Sequence, residues 1–263
     1  MQKHFRRFVA TACVLSSVAV ADAQTSTTTA TTLPTSISPS PVPGRWEAFW
    51  VARVREFIAE NATLDPNKRN VVFVGDSLTQ GFPLKTYFPD LPVLNRGIGS
   101  DGGCDYPSGR TPYRGVTRRM DESIFQCNPS HLFYLIGTND VGNAAIPLDY
   151  WFGAYKYVIE RTREKIPDVK IVLVTCPPTG TAYARRATLN PRLAAWNDLI
   201  RAYAKRENFR LVDLHALLVG PDGLLPAEMT RDGLHFNHIG YERWADAARK
   251  ILAEDGVTKG DAK

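Results

Sequence analysis

Three short clusters in this chain hold residue types suited to covalent ester chemistry. Gly75-Asp76-Ser77-Leu78-Thr79 places a hydroxyl directly after an apolar run. A serine at a strand-to-helix turn projects its Oγ from the sheet edge, where a base can reach it. Asp76 and Ser77 are also good helix N-caps, so this fragment alone leaves capping and catalysis open. Gly137-Thr138-Asn139-Asp140 follows a second apolar run. The Asn139 amide can donate to an oxyanion, a contribution of about 3 kcal/mol in hydrolases. Taken alone, the four residues read as an ordinary turn. Asp232-Gly233-Leu234-His235 sets a carboxylate three residues before an imidazole. That spacing lets the carboxylate hold Nδ1–H while Nε2 faces a hydroxyl. His4, His131, His215 and His238 lack a carboxylate at this offset. Together the clusters supply nucleophile, oxyanion donor and oriented base, in one order.

The surrounding elements must bring them to one place. Short β-rich runs at 71–74, 93–98, 132–136, 171–174 and 209–212 alternate with helical patterns near 114–125, 148–165 and 192–207, and a last helix begins near Asn237. Before them, Trp50, Val54, Phe57 and Ile58 recur at helical spacing after Trp46, which predicts an amphipathic helix. Strands that are continuously hydrophobic are buried on both faces, as in a parallel sheet covered by helices. The expectation is an open three-layer α/β/α sandwich, whose chemistry gathers at the C-terminal ends of the strands. All three clusters follow or face that edge.

The 263 residues, 44% hydrophobic and 22% charged, suit one globular catalytic domain, expected over 45–255. Residues 1–23 read as a signal peptide: Lys3, Arg6 and Arg7, an apolar run, then Ala21-Asp22-Ala23. The Ser/Thr/Pro-rich stretch 24–44 cannot bury a core and reads as a disordered linker, and 256–263 as a flexible tail. Secretion is the expected localisation, or the periplasm in a Gram-negative host. No stretch approaches the roughly 20 apolar residues of a membrane helix, so no stable membrane anchor is expected. The leader holds +2 of the formal +5, too little on the remainder to suggest a nucleic-acid partner. Arg110, Arg114, Arg118 and Arg119 are spaced as one face of a helix or loop, read as solvated. Without the leader three cysteines remain, and Cys104 and Cys127, which flank a Gly/Arg-rich insertion, are expected to pair.

On these motifs the chain resembles the SGNH (GDSL-like) hydrolases. Residues 75–79 are similar to that family's first block, Asn95-Arg96-Gly97-Ile98-Gly99-Ser100-Asp101 to the second, 137–140 to the third and 232–235 to the last. The resemblance spans about 68–253. It implies a flavodoxin-like five-stranded parallel sheet, catalysis by Ser77, His235 and Asp232, and no metal or organic cofactor. It further implies an oxyanion hole from the Ser77 N–H, a second-block N–H and the Asn139 side chain. The second-block donor is usually a glycine before Asp. Here that position is Ser100, with Gly99 and Gly102 as alternatives in a shifted loop. The insertion 102–119 is expected to shape the substrate mouth, with Tyr113 and Arg114 on its rim. Residues 232–245, with Gly240, Tyr241 and Trp244, also look like platelet-activating-factor-acetylhydrolase-type members. The expected substrate is a small-molecule or polysaccharide ester, with acetyl removal from a carbohydrate favoured. A lysophospholipase is the alternative, and a non-catalytic binding module the reading from a different class.

Overall fold

A computed structural model describes residues 44–106 and 114–257. The signal, the linker before Gly44, residues 258–263 of the expected tail, Arg110 and Tyr113 therefore lie outside the described residues, while Val257, placed in that tail, packs against the core. Five strands form one sheet: β1 (Asn70–Gly75), β2 (Val93–Gly97), β3 (Pro129–Leu135), β4 (Lys170–Val174) and β5 (Arg210–Val212). Their order is β2-β1-β3-β4-β5, and every pairing is parallel. This is the flavodoxin-like doubly wound order, whose topological switch lies between β1 and β3. The helices are α1 (Arg45–Asn61), α2 (Ser77–Gln80), α3 (Leu84–Tyr87), α4 (Met120–Ser123), α5 (Thr138–Val141), α6 (Leu148–Lys165), α7 (Arg186–Glu207), α8 (Leu214–Leu218) and α9 (His238–Glu254).

The period-2 alternation of the strands decides the layers. Val72, Val74, Leu132, Tyr134, Ile171 and Leu173 face α6 and α7, joining Trp151, Tyr155, Val158, Leu193 and Trp196 in one core. Val71, Phe73, Phe133, Leu135, Val172 and Val174 face the other way, against Phe82, Phe236, Trp244 and Ala248. Phe73 and Phe133 stack across the strand pair with centroids 4.5 Å apart. Helix α1 covers the β2 side, where Trp50, Val54 and Phe57 enclose Ile98. The three-layer α/β/α sandwich expected from the strand pattern is the fold of the protein.

Two elements differ from expectation. Helix α7 begins at Arg186, before Pro191, although an interior proline removes a helix hydrogen bond. The first turns are anchored instead by Asn190, whose amide takes the Thr179 N–H at 2.9 Å and returns a bond to its carbonyl at 3.0 Å. The expected helix at 114–125 is only two 3₁₀ turns, Val116–Arg118 and Phe125–Cys127, around α4. Here the backbone donors are spent on the preceding loop rather than on a helix. Gly115 N–H goes to Asp101 Oδ1 at 2.6 Å, Val116 N–H to Gly102 O at 2.9 Å and Thr117 N–H to Gly103 O at 3.1 Å.

Candidate active site

The turn that carries Ser77, the candidate nucleophile, is built by Asp76. Its side chain caps α2 by accepting the Leu78 N–H at 2.9 Å, so capping falls to Asp76 and the neighbouring Ser77 hydroxyl stays free of that duty. Burial pushes the Asp76 carboxyl up to about 7 against the pull of that N–H, and its Oδ2 has no hydrogen-bond partner. Helix α2 lies flush on β2: a Cβ on Gly97 would stand 2.1 Å from Gln80 N, so only glycine fits. Asn95 completes the seam, donating to Thr79 O (2.7 Å) and Phe82 O (3.1 Å) and accepting from Gly97 N (2.9 Å).

The candidate base, His235, comes from the loop before α9. Thr230 closes this loop, its hydroxyl donating to His235 O at 2.8 Å and accepting the Gly233 N–H at 3.0 Å. Asp232 Oδ1 receives the N–H groups of Leu234 (2.9 Å) and His235 (2.7 Å), while Oδ2 lies 2.7 Å from His235 Nδ1. Partial burial works against ionisation of Asp232, but the His235 ring and these backbone donors outweigh it and hold its pKa at about 2. A carboxylate only accepts, so Nδ1 carries the ring proton. Nε2, 2.9 Å from Ser77 Oγ, is then an acceptor for the serine hydroxyl. Asn237 caps α9 through Ile239 N–H at 2.9 Å, and Tyr241 Oη donates to Leu78 O at 3.0 Å, which pins α9 to the nucleophile turn.

Asn139 sits in α5 at the end of β3, across the switch from Ser77. One of its amide hydrogens goes to Asp101 O at 2.9 Å, which leaves the second for a ligand. Ser100 is exposed and holds a left-handed backbone, φ 49°. The N–H of Gly99 is engaged by Gln80 Oε1 at 2.5 Å and that of Gly103 by Asp140 Oδ2 at 2.8 Å. Ser77, Ser100, Asn139, Asp232 and His235 are thus brought to one edge.

Other expectations fail. Arg114, expected on the rim, is 3% exposed and pairs with Asp140 at 3.3 Å behind the loop. The arginine run is not a solvated face: Arg119 is buried on Asp101 at 2.8 Å and Arg118 pairs with Asp105. Asp101 and Asp140 are themselves buried, and a buried carboxylate needs a charged or hydrogen-bonding partner, which the inward-turned guanidinium groups supply beside the Gly115 and Gly103 N–H groups. Cys104 and Cys127 are free thiols, as is Cys176. The Cys127 thiol bonds to Glu122 O at 3.5 Å, and burial pushes Cys104 up to about 12. The sequence reading also missed Gln80, Asn95 as a seam and Thr230. Asn95 was visible as part of the second block, whereas Gln80 and Thr230 left no signal beyond proximity to motif residues. Among the described residues no group of three or more His, Cys, Asp or Glu side chains is placed to hold a metal ion.

A model of the GDSL-like lipase/acylhydrolase family matches residues 73–243. Among curated proteins there is no match. Solved structures share the fold. A GDSL-like lipase from Bacteroides thetaiotaomicron superposes with TM-score 0.64 at 24% identity, covering 78% of this chain and 98% of its own. An acetyl xylan esterase superposes with TM-score 0.57 at 23% identity, covering 70% and 99%. An acetylxylan esterase from Geobacillus stearothermophilus gives TM-score 0.55 at 19% identity, covering 73% and 95%.

Proposed function

The chain belongs to the GDSL-like lipase/acylhydrolase family and is therefore an ester hydrolase, and from this premise we propose that it is a secreted serine esterase releasing short acyl groups, chiefly acetyl, from carbohydrate. The observation that carries the reading is the unbroken relay from Ser77 Oγ to His235 Nε2 (2.9 Å) and from Nδ1 to Asp232 (2.7 Å). In the proposed cycle Ser77 Oγ attacks the ester carbonyl as its proton passes to Nε2. Asp232, ionised throughout, stabilises the imidazolium so formed. The carbonyl oxygen, now negative, is held by the Ser77 N–H, the Ser100 N–H and the free Asn139 N–H. His235 then protonates the departing alcohol, and water, deprotonated by the same ring, releases the acyl group.

Preference for a short acyl group is supported by the distribution of apolar surface. The exposed large hydrophobic residues among those described are Phe49, Ile58 and Leu217, and none lies on the segments carrying the relay or its oxyanion donors. A long acyl chain needs an extended apolar groove to leave water. The acetylxylan esterases that share the fold motivate the carbohydrate assignment. The leader-like residues 1–23 motivate secretion.

Ser77→Ala, assayed on 4-nitrophenyl acetate and on acetylated xylan, is expected to lose all hydrolysis with an unchanged melting temperature. Retained activity overturns the serine assignment. A higher kcat/KM for decanoyl than for acetyl esters overturns the short-acyl assignment in favour of a lysophospholipase. A mature N-terminus near Gln24 in the culture medium, read by mass spectrometry, tests secretion.

A further inference from the structure

Two guanidinium groups lie behind the oxyanion edge, Arg114 at 3% exposure and Arg119 at 0%. A buried guanidinium is costly unless most of its donors are met. Arg119 Nε donates to Asp101 Oδ2 (2.8 Å), Nη1 to Arg96 O and Ser123 Oγ (both 2.8 Å), and Nη2 to Gly75 O (3.0 Å). It therefore joins the backbone leading into Ser77 to the residue that follows Ser100. Arg114 completes the frame on the other side. Its Nε donates to Ser100 O at 3.4 Å and its Nη2 to Asp140 Oδ1 at 3.3 Å, its Cζ lies 4.3 Å from the Tyr106 ring centroid, and its buried Nη1 has no hydrogen-bond partner. Asp140 directly follows Asn139, and its other oxygen takes the Gly103 N–H at 2.8 Å. The packing leaves no slack: a Cβ on Gly102 would stand 2.1 Å from Asp140 Oδ1 and 2.6 Å from Arg114 Nη2.

We propose that Arg114 is a positioning residue for the oxyanion hole, holding Ser100 in its left-handed backbone and locking it to the Asn139 turn. Arg114 does not touch substrate. Serine has no intrinsic preference for φ 49°, so the conformation that aims its N–H must be held from outside. The planar fork binds a carbonyl and a carboxylate at fixed angles, which a point charge on a flexible stem does not. The inference rests on the reading of Ser77 as nucleophile with Ser100 and Asn139 as oxyanion donors.

The test compares Arg114→Lys, Asn139→Ala, their double variant and Ser77→Ala on 4-nitrophenyl acetate. Arg114→Lys keeps the charge beside Asp140 but cannot serve both Ser100 O and Asp140. Its melting temperature is expected to stay within a few degrees of wild type while kcat falls about tenfold or more and KM changes less than about threefold. In the Asn139→Ala background the same substitution is expected to cost under about threefold, because residues that act through one hole are not additive. Full kcat in folded Arg114→Lys, a loss carried in KM, or equal losses in both backgrounds overturns the proposal. Should Arg114→Lys not fold, Asp140→Asn, which keeps the shape and removes one acceptor, carries the same comparison with the same outcomes. Activity in Ser77→Ala overturns the nucleophile reading itself, whereas a dead Ser77→Ala beside a fully active Arg114→Lys overturns only the positioning role.

Discussion

Asp232 receives three hydrogen bonds, from the His235 ring and from the N–H groups of Leu234 and His235. These bonds explain why its pKa stays near 2 despite partial burial. With its pKa held this low the carboxylate is ionised at neutral pH, and in the proposed cycle its task is to fix the ring tautomer and offset the imidazolium charge. Asp232→Asn keeps the shape but can present an amide N–H to Nδ1, which favours the wrong tautomer. Its kcat on 4-nitrophenyl acetate is expected to fall by roughly 10²- to 10⁴-fold with KM little changed. A kcat within a few-fold of wild type would remove Asp232 from the relay. Ser77 shows a division of labour at the same scale. Its neighbour Asp76 caps the short helix, so the two readings of the motif apply to two different residues rather than competing for one.

At the scale of elements, the site depends on seams that carry no chemistry. Asn95 ties β2 to the turn after Ser77 through donors to Thr79 O and Phe82 O and an acceptor for Gly97 N–H. Asn95→Ala leaves these partly buried groups unmatched. It is expected to destabilise the fold by about 2–3 kcal/mol in urea unfolding, since each orphaned group carries its own desolvation cost. A loss below about 0.5 kcal/mol would show that water replaces the side chain. The segment after the Gly-rich insertion illustrates where element-level reading stops. Its arginine spacing matches a solvated helical face, yet Arg114 and Arg119 turn inward to meet Asp140 and Asp101. Spacing reports only which residues share a face. Whether that face meets water or a carboxylate depends on how the preceding loop folds back and on where α5 brings Asp140.

Across the whole molecule, buried carboxyl groups set how stability responds to pH. Burial raises Asp76 to about 7, and it raises Asp140 to about 7 against the attraction of Arg114. A raised carboxyl contributes stability below its unfolded pKa, and that stability is lost as pH climbs through the folded value. Asp232, depressed to about 2, does the opposite: its contribution is present above the ordinary carboxylate range and is lost as pH falls toward 2. Asp76→Asn abolishes one of the raised groups. Its melting temperature is therefore expected to gain on wild type by a few degrees as pH rises from 5 to 8. A pH-independent difference between the two proteins would contradict the raised pKa.

The sheet and the triad positions were legible because they rest on local patterns. Apolar runs of strand length, separated by helical periods, specify a covered parallel sheet, and Asp232 and His235 are three residues apart. The strand order β2-β1-β3-β4-β5, which sets Ser77 and Asn139 on either side of the switch, was reachable only through the family resemblance. The inward arginines, the unbonded Cys104 and Cys127 and the left-handed Ser100 left no local trace. Each is decided by groups distant along the chain that meet only when the sheet assembles. Burial then makes an unpaired charge or a stray N–H too costly to leave, and the fold selects the partner that the sequence alone does not name.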